Sequence, residues 1–421
     1  MRSNMKPNDR PLSVYRVLDL TDEKGCLAGK ILADLGADVV KIEPPGGDKA
    51  RRTGPFYKNQ PDPEKSLFWF AYNTGKRSIT MNLESVDGKA LFLRMVQGAD
   101  FVIESFQSGY LGSIGLDYET LKQTNPRLIM ASITPWGQTG PYRDYEASDL
   151  VLCAMGGQIN CMGYADQHPI RISIPQAYVN ASAHAATGMM IANYYRKRTG
   201  KGQQIDVAAF NIMVQTSGSA IPYWQTVQRN LYRAGERRTG MSAFADMRQF
   251  YRCRDGFVMF SIVGGNGGIR NNQAMVDWMD SRGMADDFLK AINWKTFDKT
   301  TVDQETVDRI EDQVGKFLMQ HDKEELYEEG GKRHIMLYPV HTPGEMLENK
   351  QLAARNYWVK IEHDELEDTL IYPGAFAIGS ENLCAVTKRA PLIGEHNEEI
   401  YKKELGLNPE DMIRLTERGV L

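Results

Sequence analysis

A chain of 421 residues exceeds what one hydrophobic core usually supports, so two domains are expected, and 42% hydrophobic with 25% charged residues excludes wholesale disorder. Fifty basic against fifty-four acidic residues leave a formal charge of −4, which provides no global positive field for nucleic acid or an anionic membrane. Any anion site must be local.

In chain order, the opening MRSNMKPNDRPLS lacks the apolar core of a signal peptide, and no later run approaches a membrane span, so a cytoplasmic location is expected. VYRVLDL, a helical stretch around KILADLG and then ADVVKIE predict a parallel βαβ unit. SITMNL, KALFLRMVQGA and DFVIES repeat the scheme, and RLIMASI adds a further strand. At least five strands with helical crossovers predict an α/β fold with a Rossmann-like, doubly wound parallel sheet. A helix rich in Ala, Met and Gly is expected over about 179–197, ending at the RTGKGQ turn before the strand QIDVAAF.

From about residue 241 to 333 the character changes to two strands, QFYRCR and GFVMFSIV, a glycine-rich loop GGNGG and charged amphipathic helices, which predict a smaller α+β domain. The tail returns to strand signals, YWVKIEH and TLIYPGAF, and closes on helices. The expected division is residues 1–225 as the first part of a large domain, 226–335 as the small domain, and 336–421 as a return to the large one.

The chemistry-bearing motifs exclude more than they select. Cysteines at 26, 153, 161, 253 and 384 show no CxxC spacing, and the seven histidines form no HExxH, so neither a disulfide framework nor a metal site is expected. TDEKGCLAG after the first strand is not GxGxxG, and GxxxxGK[ST] is absent, which argues against nicotinamide, flavin and nucleotide-triphosphate chemistry. Two other clusters, IEPPGGDKARR and NTGKRS, put glycines and cations at strand ends, where α/β sheets bind ligands, although each reads equally as a solvated turn.

Taken with RVLDLT, LADLGADVVKIEPPGGD, YNTGKRSITMNLES, IESFQSGYLGSIGLDYETL, NPRLIMASITPWGQTGP, RKRTGKGQQIDVA and APLIGEHNEEI, these clusters resemble the class III (CaiB/BaiF-type) CoA-transferases, collinearly from about residue 14 to the end. The resemblance implies a discontinuous Rossmann-like domain with a smaller inserted domain, a dimer whose subunits interlock as rings, and coenzyme A as substrate. It also implies an aspartate that attacks the acyl-CoA thioester to give a mixed anhydride, which a glycine-rich loop shields from water.

In that family the aspartate lies about six helical turns before RTGKGQ. Counting back with Asn180, His184 and Gly188 in register puts Tyr178 in its place. A tyrosine is almost wholly neutral at pH 7, so this chain is expected to lack the acyl-accepting carboxylate. Asp149, in ASDLVLCAMGG, is the alternative nucleophile, but N-capping of its helix explains it simply; Asp144 and Asp166 rank lower. The racemase branch pairs a histidine with the same aspartate, and here those positions hold Ser148 and Tyr178.

By the same resemblance Lys76 and Arg77 are expected near the nucleotide of CoA, with Lys41, Arg51 and Arg52 as weaker contacts, while Ser113 stands where the family has an arginine. Gly264, Gly265, Gly267 and Gly268 correspond either to the shielding loop or to a hairpin connection. The expected role is that of a non-catalytic subunit paired with a homologous catalytic CoA-transferase subunit as a heterodimer or heterotetramer. It binds acyl-CoA, with no nucleic-acid or membrane partner. A self-sufficient transferase and a non-enzymatic acyl-CoA-binding scaffold remain the alternatives.

Overall fold

The structure, a computed structural model, describes residues 10–238, 245–298 and 301–421. Six parallel strands form the main sheet: β1 (Arg16–Leu20), β2 (Asp38–Glu43), β3 (Arg77–Thr80), β4 (Phe101–Glu104), β5 (Ile129–Thr134) and β6 (Gln204–Ala208). Their order is β3-β2-β1-β4-β5-β6, so the direction of winding reverses between β1 and β4. Such strands are covered on both faces and read as continuous apolar runs; all six residues of β5 are buried.

The helices that matter for the site are α1 (Cys26–Asp34), α2 (Leu67–Tyr72), α3 (Val86–Gln97), α4 (Tyr110–Ser113), α5 (Tyr118–Thr124), α6 (Asp149–Met155) and α7 (Ala177–Thr199). α3 and α5 lie over one face, where Phe92, Met95 and Leu121 join Leu18, Val40 and Val102, and the C-terminal residues Tyr401 and Leu421 close the same core. α7 packs on α1 and β5, using the buried Ala181, Ala185 and Ala192, whose small side chains let helix and sheet approach. Gly29 lets α1 approach β1 closely: a Cβ there would lie 2.2 Å from Asp19 Oδ2. No helix among the described residues is long and apolar enough to cross a membrane.

The chain divides into two compact units, the larger made of residues up to Gly156, Ile172–Thr216 and Lys350–Leu421, and the smaller of Gly157–Arg171 and Ser217–Asn349. The boundaries differ from the expected 225/226 and 335/336. Residues 336–349 stay with the smaller unit because the strand Tyr338–Pro339 pairs antiparallel with Gly256–Met259. Residues 157–171 join it through bonds such as Gly235 N–H to Gly163 O at 2.9 Å. The smaller unit is α+β, a three-stranded antiparallel sheet with a core in which Trp278 meets Phe317 edge-on at 4.9 Å.

The expected glycine-rich loop is instead the start of a helix. Gly264 caps Gly265–Ser281, Gly265 takes a left-handed φ of 72°, and Gly268 is buried against Val263 O. Gly264, Gly265, Gly267 and Gly268 thus make a helix entry, where glycine tolerates both the turn and the close backbone.

Candidate functional site

A cavity of about 1770 Å³ opens in the larger unit at the carboxyl ends of β1 to β5, the place where open α/β sheets bind ligands. Its floor is the point of strand reversal. There Ser105, after β4, donates to Asp22 Oδ1 at 2.7 Å, and Asp22 N–H donates back to Ser105 Oγ at 2.8 Å. Asp22 also pairs with Lys24 at 2.9 Å and Lys49 at 2.8 Å. Burial works to raise the Asp22 pKa, but the two lysines and Ser105 outweigh it and hold the carboxyl below its ordinary range.

Tyr178, in the first turn of α7, is buried in the cavity wall and donates its hydroxyl to Ala147 O at 2.8 Å. Burial first, and then the facing Asp22, Asp149 and Glu23, push its phenol far above the usual range. A phenol so placed is neutral, and its proton is committed to a backbone carbonyl.

Asp149 also lines the cavity, but its role differs from the expected cap of its own helix. Ser148 is the N-cap of α6 and accepts from Val151 N–H. Asp149 Oδ1 reaches across to α7 and accepts from Gln176 N–H at 2.9 Å and Ala177 N–H at 2.7 Å, donors that α7 itself cannot satisfy. Oδ2 faces Cys153 Sγ at 3.7 Å. Asp144 is exposed beside Arg143, and Asp166 is exposed in the smaller unit.

The five expected cations separate by environment. Lys76 is buried, and Asp19 Oδ2 at 2.8 Å, Cys26 O at 2.8 Å and Asn73 Oδ1 at 2.7 Å engage all three ammonium donors, leaving none for a phosphate. Lys41 is buried between Thr21 O, Asp48 and Asp19. Burial raises the Asp19 pKa, yet Lys76 and Lys41 outweigh it and keep the carboxyl ionised. Arg51 is buried too, forked onto Glu43 at 2.6 and 2.8 Å, bonded to Glu64 at 2.6 Å and stacked over Trp69 at 3.8 Å. Arg77 bridges Asp38, Glu399 and Glu404. These four hold strands and tail together, whereas Arg52, expected beside them at the nucleotide, is exposed and lines the cavity. Ser113, on α4, spends its hydroxyl on Tyr110 O at 2.7 Å.

Sequence reasoning passed over Asp22, Lys24, Lys49, Ser105 and the neighbouring Glu104. Glu104, buried at the end of β4, accepts from Phe106 N–H at 2.8 Å, and burial pushes its carboxyl up to about 7. The available signal was position: Asp22 and Lys24 follow the first strand, and Glu104 ends and Ser105 follows the fourth, the two strands that flank the reversal of a doubly wound order, while Lys49 follows the second strand.

The model of CoA-transferase family III matches residues 12–397. The BbsE subunit of succinyl-CoA:(R)-benzylsuccinate CoA-transferase from Thauera aromatica is 35% identical over 392 residues, covering 92% of this chain and 93% of its own. Succinate–glutarate CoA-transferase from Agrobacterium fabrum is 30% identical over 403 residues, 94% and 96% of the two chains. Among solved structures, a CaiB/BaiF family protein from Brucella suis superposes with a TM-score of 0.79 at 27% identity, covering 94% of this chain and 99% of that one.

Proposed function

Because the chain belongs to CoA-transferase family III, we propose that it serves CoA transfer between an acyl-CoA and a carboxylic acid as the non-catalytic subunit of a heteromeric enzyme. The observation that carries this is Tyr178. The chemistry needs a carboxylate oxygen that attacks the thioester carbonyl and expels CoA thiolate, forming a mixed anhydride. The thiolate then opens the anhydride at the enzyme carbonyl and releases the first acid. The acceptor acid repeats the sequence in reverse and leaves with CoA. A neutral phenol bonded to Ala147 O enters none of these steps, and a phenyl ester would not exchange in the same way.

Asp149 offers no easy substitute, since attack would require it to abandon the two N–H groups that start α7. The partner is therefore a homologous chain that keeps the carboxylate, and this chain supplies architecture and a cavity for a CoA thioester. The likeness to the BbsE subunit supports succinyl-CoA as donor and (R)-benzylsuccinate as acceptor.

The test is CoA exchange from succinyl-CoA to a free dicarboxylic acid, run with this chain alone and with its homologous partner, followed by intact-mass analysis. Activity only in the mixture, with the acyl adduct on the partner, is the expected result. An adduct on this chain overturns the assignment.

A further inference from the structure

We propose that Arg52 reads the anionic end of a CoA thioester in the cavity of this chain, by gripping either the free carboxylate of a dicarboxylic acyl group or a phosphate of CoA. The inference rests on the reading of this chain as a CoA-transferase subunit and adds the residue that selects the ligand.

The local geometry begins with the 3₁₀ turn Lys49–Arg52, which Asp48 caps by accepting Ala50 N–H at 2.7 Å. With three residues per turn, Lys49 and Arg52 share one side while Arg51 points elsewhere. Arg51 is accordingly buried against Glu43 and Glu64, whereas Lys49 and Arg52 both line the cavity. Two adjacent arginines thus have opposite duties.

The charges around the cavity make Arg52 distinctive. Lys24 and Lys49 are both paired with Asp22, and Arg143 is paired with Asp144. Arg52 is the lining cation that has neither an ion pair nor a hydrogen bond among the described residues. Asp22, Glu23, Glu84, Glu146 and Asp149 line the same space, so an incoming anion meets a mostly acidic wall. A free guanidinium, planar and able to bond both oxygens of a carboxylate or phosphate at once, is the group that offsets that repulsion.

The test uses the full chain and isothermal titration with succinyl-CoA, acetyl-CoA and 3′-dephospho-CoA, comparing wild type, Arg52→Gln and Arg52→Lys. Arg52 is exposed, so neither variant disturbs packing. If the anion is the acyl carboxylate, Arg52→Gln weakens succinyl-CoA about tenfold and leaves acetyl-CoA unchanged. Equal loss on both thioesters assigns Arg52 to a CoA phosphate, and 3′-dephospho-CoA separates the ribose phosphate from the pyrophosphate. Arg52→Lys recovers only part of either loss, because it keeps the charge without the fork. The proposal is overturned if Arg52→Gln binds both thioesters as wild type does, or if the folded wild-type chain binds neither. These outcomes do not depend on which chain carries the acyl adduct, so the two readings fail separately.

Discussion

The carboxylate of Asp149 accepts the backbone N–H of Ala177 at 2.7 Å, so the first residue of α6 caps the start of α7. Because Gln176 N–H shares the same oxygen, Asp149 fixes the turn that presents Tyr178 to the cavity. Asp149→Ala should cost about 1–2 kcal/mol in urea unfolding, the range of a lost cap. Asp149→Asn retains the Oδ1 acceptor and should restore most of that stability, with CoA exchange by the assembled enzyme intact. Abolished exchange in a fully stable Asn variant would instead make Asp149 the nucleophile.

Tyr178→Phe removes one hydrogen bond to Ala147 O and should lower stability by about 1 kcal/mol, while exchange by the assembled enzyme keeps its rate. The phenol, raised by burial and by Asp22, Asp149 and Glu23, should remain protonated well past its ordinary 10.0. An alkaline ultraviolet titration of wild type minus Tyr178→Phe should therefore show no phenolate rise near that pH. A rise there, or a collapsed rate in the Phe variant, would assign Tyr178 an active part.

Much of the fold was legible because its causes are local. The apolar runs around RVLDL, DVVKIE, FVIE and IMASIT alternate with amphipathic helices, and these became β1, β2, β4 and β5 of a doubly wound sheet. The cations were legible as residues but not as environments. KARR looks like three equivalent positive charges until the 3₁₀ turn sends Arg51 inward to Glu43, eight residues earlier at the end of β2. Lys76 finds Asp19, which lies 57 positions earlier. Arg77 finds Glu404 beyond the whole smaller unit. Partners so remote depend on strand order, which no local pattern encodes. The same holds for Asp22 and Ser105, which meet only because β1 and β4 are neighbours.

Lys76 separates a structural cation from a ligand-binding one. Lys76→Met would leave the fully buried Asp19 short of a partner, and breaking such a buried pair costs about 3–5 kcal/mol. The expected result is a large fall in the urea midpoint, with unaltered CoA affinity in whatever fraction folds. Native stability combined with lost CoA affinity would return Lys76 to the nucleotide.

Glu104 provides the pH dependence. Its carboxyl is pushed by burial from an ordinary 4.5 up to about 7, while the bonds from Ser132 and Phe106 N–H pull the other way. Between those values the folded chain holds a proton that the unfolded chain has released, so stability falls as pH rises through this window and levels off above it. At about 1.4 kcal/mol for each pH unit, the loss is on the order of 3 kcal/mol by pH 8. Glu104→Gln has no proton to lose. The difference in unfolding free energy between variant and wild type should therefore shift in favour of the variant by that amount between pH 4.5 and pH 8. Urea titrations at the two ends of the range measure it. A difference that stays constant with pH would mean that folding leaves the Glu104 carboxyl at its ordinary 4.5.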